Sequence, residues 1–327
     1  MEWTVAIGVD THRDQHVAVA LDRLGRRLGA LELEVDEQGF AGLFDFACSL
    51  GQPAFAIEGT GSYGASLARA LLGAGFAVYE CERPERRSRR EKNDLLDAER
   101  AAQRLLSGKP LPLPRTGSER ERLRLLLAER RSARQARLQA DNQLKAALVT
   151  LEPGLRRQLS ELRGASLVRS LAARRRPELA PLLRLAKRSL WLAEELAEID
   201  RELAELTARL CPRLLAEDGV GPLCTAQVLV STAAPNRLRS EASFAALAGV
   251  SPIEASSGQV KRHRLNRGGD RQLNWALHMS ALNRIRCHAE THAYYQRLLE
   301  DGKSKREAIR IVKRVLARRL YRTLMAP

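Results

Sequence analysis

Four carboxylates stand where their surroundings offer them to one another. Asp10 closes the apolar run Thr4-Val-Ala-Ile-Gly-Val-Asp10, Glu58 closes Ala54-Phe-Ala-Ile57, and Asp94 and Asp97 open a helical stretch. An apolar, β-branched run ended by the turn-forming Asp-Thr-His reads as a buried strand. A carboxylate at the end of a central strand packs poorly, but it can hold a cation in the cleft beyond the strand. Asp94 and Asp97 share one helical face, although the helix dipole alone accounts equally well for that pair. Each acid singly is an ordinary solvated residue. Together they suit two-metal phosphodiester chemistry, in which several carboxylates converge on ions roughly 4 Å apart. Mg²⁺, or Mn²⁺ in its place, takes hard oxygen ligands, so Asp and Glu suffice without His or Cys.

The elements that must position these acids follow from the pattern around them. Val5–Asp10, Gln15–Leu21 and Arg27–Val35 read as three strands, with Asp22-Arg-Leu-Gly25 as the turn between the last two. Glu37–Leu50 has helical periodicity, Ala54–Ile57 is a fourth strand, Tyr63–Leu72 a helix and Phe76–Cys81 a fifth strand. Such an order makes an α/β domain with a mixed sheet. A first-strand Asp, a fourth-strand Glu and a late acidic helix match the RNase H-like arrangement. The charged stretch 83–93 precedes the helix Asp94–Leu106, and Lys109-Pro-Leu-Pro-Leu-Pro114 is a linker. The expected domains are 1–110, a helical hairpin or coiled coil over 115–210, and a mostly α domain over 211–327.

The middle segment carries two long amphipathic patterns, Ser118–Leu151 and Leu182–Leu210, joined by Pro, Gly and Arg clusters. They suit an intrachain bundle or a dimerising stalk equally. In the last segment, Gly219-Val-Gly221 between two helical runs resembles a helix-hairpin-helix turn, whose glycines let backbone N–H groups approach a DNA phosphate. A basic run follows, with Lys261, Arg262, Arg264, Arg267 and Arg271, and two helices, Gln272–Arg286 and Ser304–Leu324, end the chain.

Composition narrows the partners. The chain has 327 residues, with 55 Lys+Arg against 39 Asp+Glu, a formal charge of +16. That excess favours an anionic polymer, because each neutralised phosphate releases counterions. No apolar run reaches the ~18 residues needed to span a bilayer, and no signal peptide opens the chain, so no membrane partner and a cytoplasmic location are expected. Aromatic residues are only 4%, which makes base stacking a minor mode. The five cysteines, Cys48, Cys81, Cys211, Cys224 and Cys287, lack zinc-ligand spacing and read as reduced core residues.

Three blocks, Gly8-Val-Asp10-Thr-His-Arg-Asp, Ile57-Glu58-Gly-Thr-Gly-Ser-Tyr63 and Lys92-Asn-Asp94-Leu-Leu-Asp97-Ala, resemble those of the DEDD transposases. These are insertion-sequence recombinases of the "one-ten" family, related to Piv-type DNA invertases. Gly219-Val-Gly221, Phe244-Ala-Ala-Leu-Ala-Gly-Val-Ser-Pro252 and Ser257-Gly258 resemble the family's C-terminal region. The chain departs from the family at Asn93, where Thr is frequent, at Gly59, where Ala is common, and at Arg13, where Lys is common. The resemblance implies a bacterial or archaeal, nucleoid-associated enzyme with a RuvC-like domain, Asp10, Glu58, Asp94 and Asp97 being its Mg²⁺-binding tetrad. It implies that Ser257, with Ser256 as the adjacent rival, attacks a DNA phosphate and forms a phosphoserine. It further implies a composite site shared between subunits of a dimer or tetramer, and a guide RNA encoded by the element that pairs with target and donor DNA.

Two other readings compete. A RuvC-like endonuclease of the Holliday-junction type would use the tetrad and water, without the serine. A non-enzymatic basic nucleic-acid-binding protein would use the acids structurally.

Overall fold

The computed structural model describes residues 3–81, 93–114, 117–174, 176–232, 238, 240–254, 263, 264, 266 and 268–326. The chain divides into two compact units, Met1–Ser118 with Thr232–Arg239, and Glu119–Ser231 with Ser240–Pro327.

The first unit is built on β1 (Val5–Thr11), β2 (Gln15–Leu21), β3 (Arg27–Glu34), β4 (Pro53–Glu58) and β5 (Ala77–Cys81), in the sheet order β3-β2-β1-β4-β5. β2 runs antiparallel to both β1 and β3, whereas β1, β4 and β5 are parallel. This mixed sheet, flanked by α1 (Glu37–Leu50), α2 (Ala65–Gly73) and α3 (Asp94–Leu106), is compatible with the RNase H-like fold expected. β1 is buried along its whole length, as a central strand covered on both faces must be.

The two faces of the sheet differ in side-chain size. Val5, Ile7, Val9, Phe55 and Ile57 point one way and meet Leu43 of α1 and Leu67 and Leu71 of α2. The alternate residues Ala6, Ala54 and Ala56 point the other way and meet Ala98, Ala101 and Ala102 of α3. Gly8 lies on this second face. A methyl group there would sit 1.9 Å from the Ala98 carbonyl oxygen and 2.3 Å from the Ala102 nitrogen. The α3 backbone thus rests directly on β1. Asn93 caps α3 by accepting from the Leu95 N–H at 3.1 Å. Asn and Thr both serve as caps, so this departure from the family pattern leaves the local structure intact.

The second unit contains, among its described residues, α4 (Ser118–Val149), α5 (Pro153–Ser160), α6 (Gly164–Ala173), α7 (Ala180–Leu210), α8 (Pro212–Leu215), α9 (Pro222–Thr232), α10 (Glu241–Leu247), the short pair β6 (Ile253–Glu254) and β7 (His263–Arg264), α11 (Arg271–Cys287), α12 (Ala289–Glu300) and α13 (Lys305–Met325). α4 and α7 run antiparallel, since Glu119 pairs with Arg209 at one end and Arg130 with Asp200 further along. Leu123, Leu126 and Leu127 meet Ile199, Leu203 and Leu206 between them. The connector read only as Pro, Gly and Arg clusters forms α5 and α6. Their Leu159, Leu167 and Leu171 fill the far end against Leu144, Leu148 and Leu182.

Two expectations need correction. The C-terminal region holds three long helices rather than two, α12 being the addition. Its sequence AETHAYYQRLLE buries only Leu298, too little apolar periodicity to announce a helix. Cys48 and Cys287 are exposed rather than core, while Cys81 and Cys224 are buried. α13 is both basic and a core helix: Val312, Leu316, Ala317 and Leu320 are buried, Arg314 forms an ion pair with Glu241 at 3.0 Å, Arg318 Nε donates to Glu241 at 2.9 Å, and Arg319 pairs with Glu217. No helix among the described residues is long and apolar enough to cross a membrane.

Lys313 is the buried cation of α13, donating from Nζ to Asn274 Oδ1 at 2.7 Å. Asn274 in turn donates to the Ala248 carbonyl at 2.7 Å. Burial, with Arg310 nearby adding to it, lowers Lys313 from 10.5 to about 8. Below about 8 the folded state bears the cost of a desolvated charge. Between about 8 and 10.5 the unfolded chain holds more protons, so stability climbs with pH. Lys313→Met is expected to flatten that climb when denaturation midpoints are measured across the window.

Gly8→Ala is expected to cost the first unit about 3 kcal/mol, at the upper end of overpacking penalties, because backbone must move. Gly42→Ala in α1, where nothing lies within 4 Å, serves as the control and is expected to be neutral or stabilising by up to about 1 kcal/mol. Urea unfolding of the two variants checks both.

Candidate active site

Glu58 closes β4, and Asp10 stands one residue before the end of the neighbouring parallel strand β1. Val9 stands beside Ile57, so the next residues along are the two acids, each only 8% exposed. By strand alternation both belong to the α3 face. Thr11 Oγ1 donates to the Glu58 carbonyl at 2.9 Å and ties the strand ends together. The close seat of α3 over Gly8 brings its first turn, with Asp94 and Asp97, to the same end of the sheet.

A histidine that the carboxylate pattern does not include stands at this point. His12 Nε2 lies 3.3 Å from Asp10 Oδ2 and 3.2 Å from Asp94 Oδ2. One ligand atom from each of the three residues falls within 4.8 Å of the others. Nε2 is buried, yet it makes no properly aligned hydrogen bond among the described residues. The distances are those of an ion pair, but the N–H direction serves neither oxygen. Strand alternation was the available signal, since a residue two beyond Asp10 returns to the same side.

Burial pushes the Asp10 carboxyl above its usual value; His12 opposes this, and the nearby charges of Asp94 and Asp97 reinforce it. Asp97 is also paired with Arg100 Nη1 at 2.7 Å. The structure therefore joins Asp10 and Asp94 through His12; Asp97 is near enough to raise Asp10, and Glu58 is placed beside Asp10 by strand register alone. A desolvated Asp10, the half-exposed Asp94 and an unaligned imidazole nitrogen form a donor set suited to a divalent cation. The residues present fit such an ion.

The other expected site residues belong to the second unit. Gly219 has φ +82, and a side chain there would strike the Arg284 backbone nitrogen at 2.5 Å. Arg284 Nη1 donates to the Asp218 carbonyl at 3.0 Å. This glycine therefore serves close packing against α11, a use that the phosphate-binding reading did not anticipate. Gly221 is followed by α9 and has open space around it. Arg271 is exposed at the first position of α11, which Asp270 caps through the Gln272 and Leu273 N–H groups. Asp270 also accepts from Ser231 Oγ at 2.6 Å and donates its N–H to the Leu247 carbonyl at 2.7 Å, joining α9, α10 and α11. The backbone of Arg264 lies in β7, opposite Ile253. Ser256, Ser257, Lys261, Arg262 and Arg267 lie outside the described residues.

Comparison with known families adds two matches. Residues 7–153 match the IS110-type DEDD transposase model, and residues 211–296 match the Transposase IS116/IS110/IS902 family. No curated protein matches the chain. The first match spans all four acids and His12; the second spans the Gly219 turn, Ser257 and the basic run. With both blocks present in this order, the chain belongs to the IS110-type DEDD transposases, enzymes that cleave and recombine DNA.

Proposed function

We propose that the chain moves an insertion sequence by cutting and rejoining DNA through a phosphoserine at Ser257, with Asp10, Glu58, Asp94 and Asp97 holding divalent metal, Mg²⁺ or Mn²⁺. The observation that supports this most is the approach of Asp10 and Asp94 to within ion-pair distance of one shared nitrogen. Three donor atoms from β1, the turn after it and α3 there lie within 4.8 Å of one another, as the ligands of one ion do. A bound divalent ion would polarise the phosphate and offset charge developing on its oxygens.

The roles of the chain's own residues follow. Ser257 Oγ would attack phosphorus and give up its proton, and a DNA oxygen would leave and take one up. The reverse attack by a different DNA end would rejoin the strands and free the serine. A serine hydroxyl is a weak nucleophile until it is activated, and Arg262, Arg264 and Arg267, close to it in sequence, would offset the phosphorane charge. Gly221, Lys261 and Arg271 would contact DNA phosphates, with Gly219 shaping the turn. The +16 charge supports nucleic-acid partners. A guide RNA, the assembly of a dimer or tetramer, and a site shared between subunits rest on the family resemblance, as does a bacterial or archaeal, nucleoid-associated setting.

The test is covalent trapping. Wild type, Ser257→Ala and Asp10→Asn are incubated with Mg²⁺, element-flanking DNA and the element's end-encoded RNA, then denatured. A shifted protein band is expected in wild type only, with Asp10→Asn lowering product by more than about a hundredfold, beyond what losing a merely supporting group costs. Cleavage that survives Ser257→Ala would refute the serine route and leave a water-using nuclease.

A further inference from the structure

His12 is the one member of the trio to which the carboxylate reading gives no role. Its position is set by the turn between β1 and β2, where its backbone N–H donates to the Gln15 carbonyl at 3.1 Å and Thr11 pairs with His16. Alternation along β1 then carries the imidazole to the side of Asp10.

Nε2 stands at ion-pair distance from both carboxylates without an aligned hydrogen bond to either. A neutral nitrogen with its lone pair inward would face two carboxylate oxygens at 3.3 and 3.2 Å and be repelled by both. A protonated one would form an ion pair with both, though without an aligned N–H bond to either. A third arrangement satisfies all three groups: the lone pair and both carboxylates converge on one cation. Bonds of about 2.1 Å to a first-row ion place adjacent ligand atoms about 3.0 Å apart at right angles and about 3.4 Å apart in a tetrahedron. The observed 3.2 and 3.3 Å fall between those limits.

We propose that His12 Nε2 is a nitrogen ligand of the divalent ion held by Asp10 and Asp94, making a mixed nitrogen–oxygen centre that selects Mn²⁺ over Mg²⁺. The inference rests on the reading of these carboxylates as metal ligands. Mg²⁺ prefers oxygen donors and retained waters, whereas first-row transition ions accept imidazole. The tetrad alone is an all-oxygen set suited to Mg²⁺, and His12 shifts its preference.

The test is direct Mn²⁺ binding to the full chain without nucleic acid, following free Mn²⁺ by electron paramagnetic resonance with Mg²⁺ as competitor. His12→Ala and His12→Gln are expected to weaken Mn²⁺ by about tenfold or more while moving Mg²⁺ by less than about twofold, with circular dichroism confirming the fold of each. Spin-echo spectra of bound Mn²⁺ should show nitrogen modulation in wild type that vanishes in both variants. Wild-type spectra without that modulation, or unchanged or tighter Mn²⁺ binding by the variants, would overturn the proposal. Tighter binding would identify His12 as a cation surrogate that competes with metal. Asp10→Asn separates the two levels. If it retains full Mn²⁺ binding, or if wild type binds none, the carboxylate reading fails and this inference with it; if binding needs Asp10 but not His12, only this inference fails.

Discussion

The first unit depends on how closely one helix can approach one strand. α3 lies against β1 with no side chain between them at Gly8, and alanines on both partners keep the contact thin. Dispersion falls steeply with separation, so this seat holds only while every residue in it stays small. Asp94 and Asp97 reach Asp10 because of it. A helix held off by one larger side chain would move its acidic first turn away from the strand ends, and the charged trio would not form. Packing here sets electrostatics: the same approach that removes water from Asp10 brings like charges to it and pushes its carboxyl upward.

Much of this was legible in the residues. β1, β2, β4, α1 and α3 follow from alternation, periodicity and caps, and Glu58 and Asp94 stand at element ends as read. By residue type the strand through Asp10 ends there, with Asp-Thr-His as a turn. In the structure β1 continues to Thr11, paired with His16, and that one extra residue explains why His12 was overlooked. Turn-forming residues describe a preference, and the ladder to β2 overrides it. Oxygen chemistry also directed attention to Asp and Glu alone, so a histidine among them carried no signal.

The second unit was harder to read because its charges and glycines are put to more than one use. A helix as basic as α13 suggests a surface for nucleic acid, yet Lys313 is buried and Arg314, Arg318 and Arg319 pair with acids of the same unit. Charge counts give the sign of a partner but do not say which cations meet it. Gly219 shows the same ambiguity, since a glycine that would let a phosphate approach equally lets α11 approach. Residue type cannot separate the two; the Arg284 backbone beside it decides.

The α4–α7 pair divides its holding forces in a way that affects handling. Its Arg–Glu and Arg–Asp bonds, such as Arg122 to Glu202, lie at the surface, where each contributes at most about 1 kcal/mol and is screened by salt. Its leucine and isoleucine seam is indifferent to ionic strength or strengthened by excluded anions. Contacts between a +16 chain and polyanions weaken steeply as salt rises. Concentrated salt should therefore strip bound nucleic acid during purification while the hairpin stays closed, and the protein can be emptied without being unfolded.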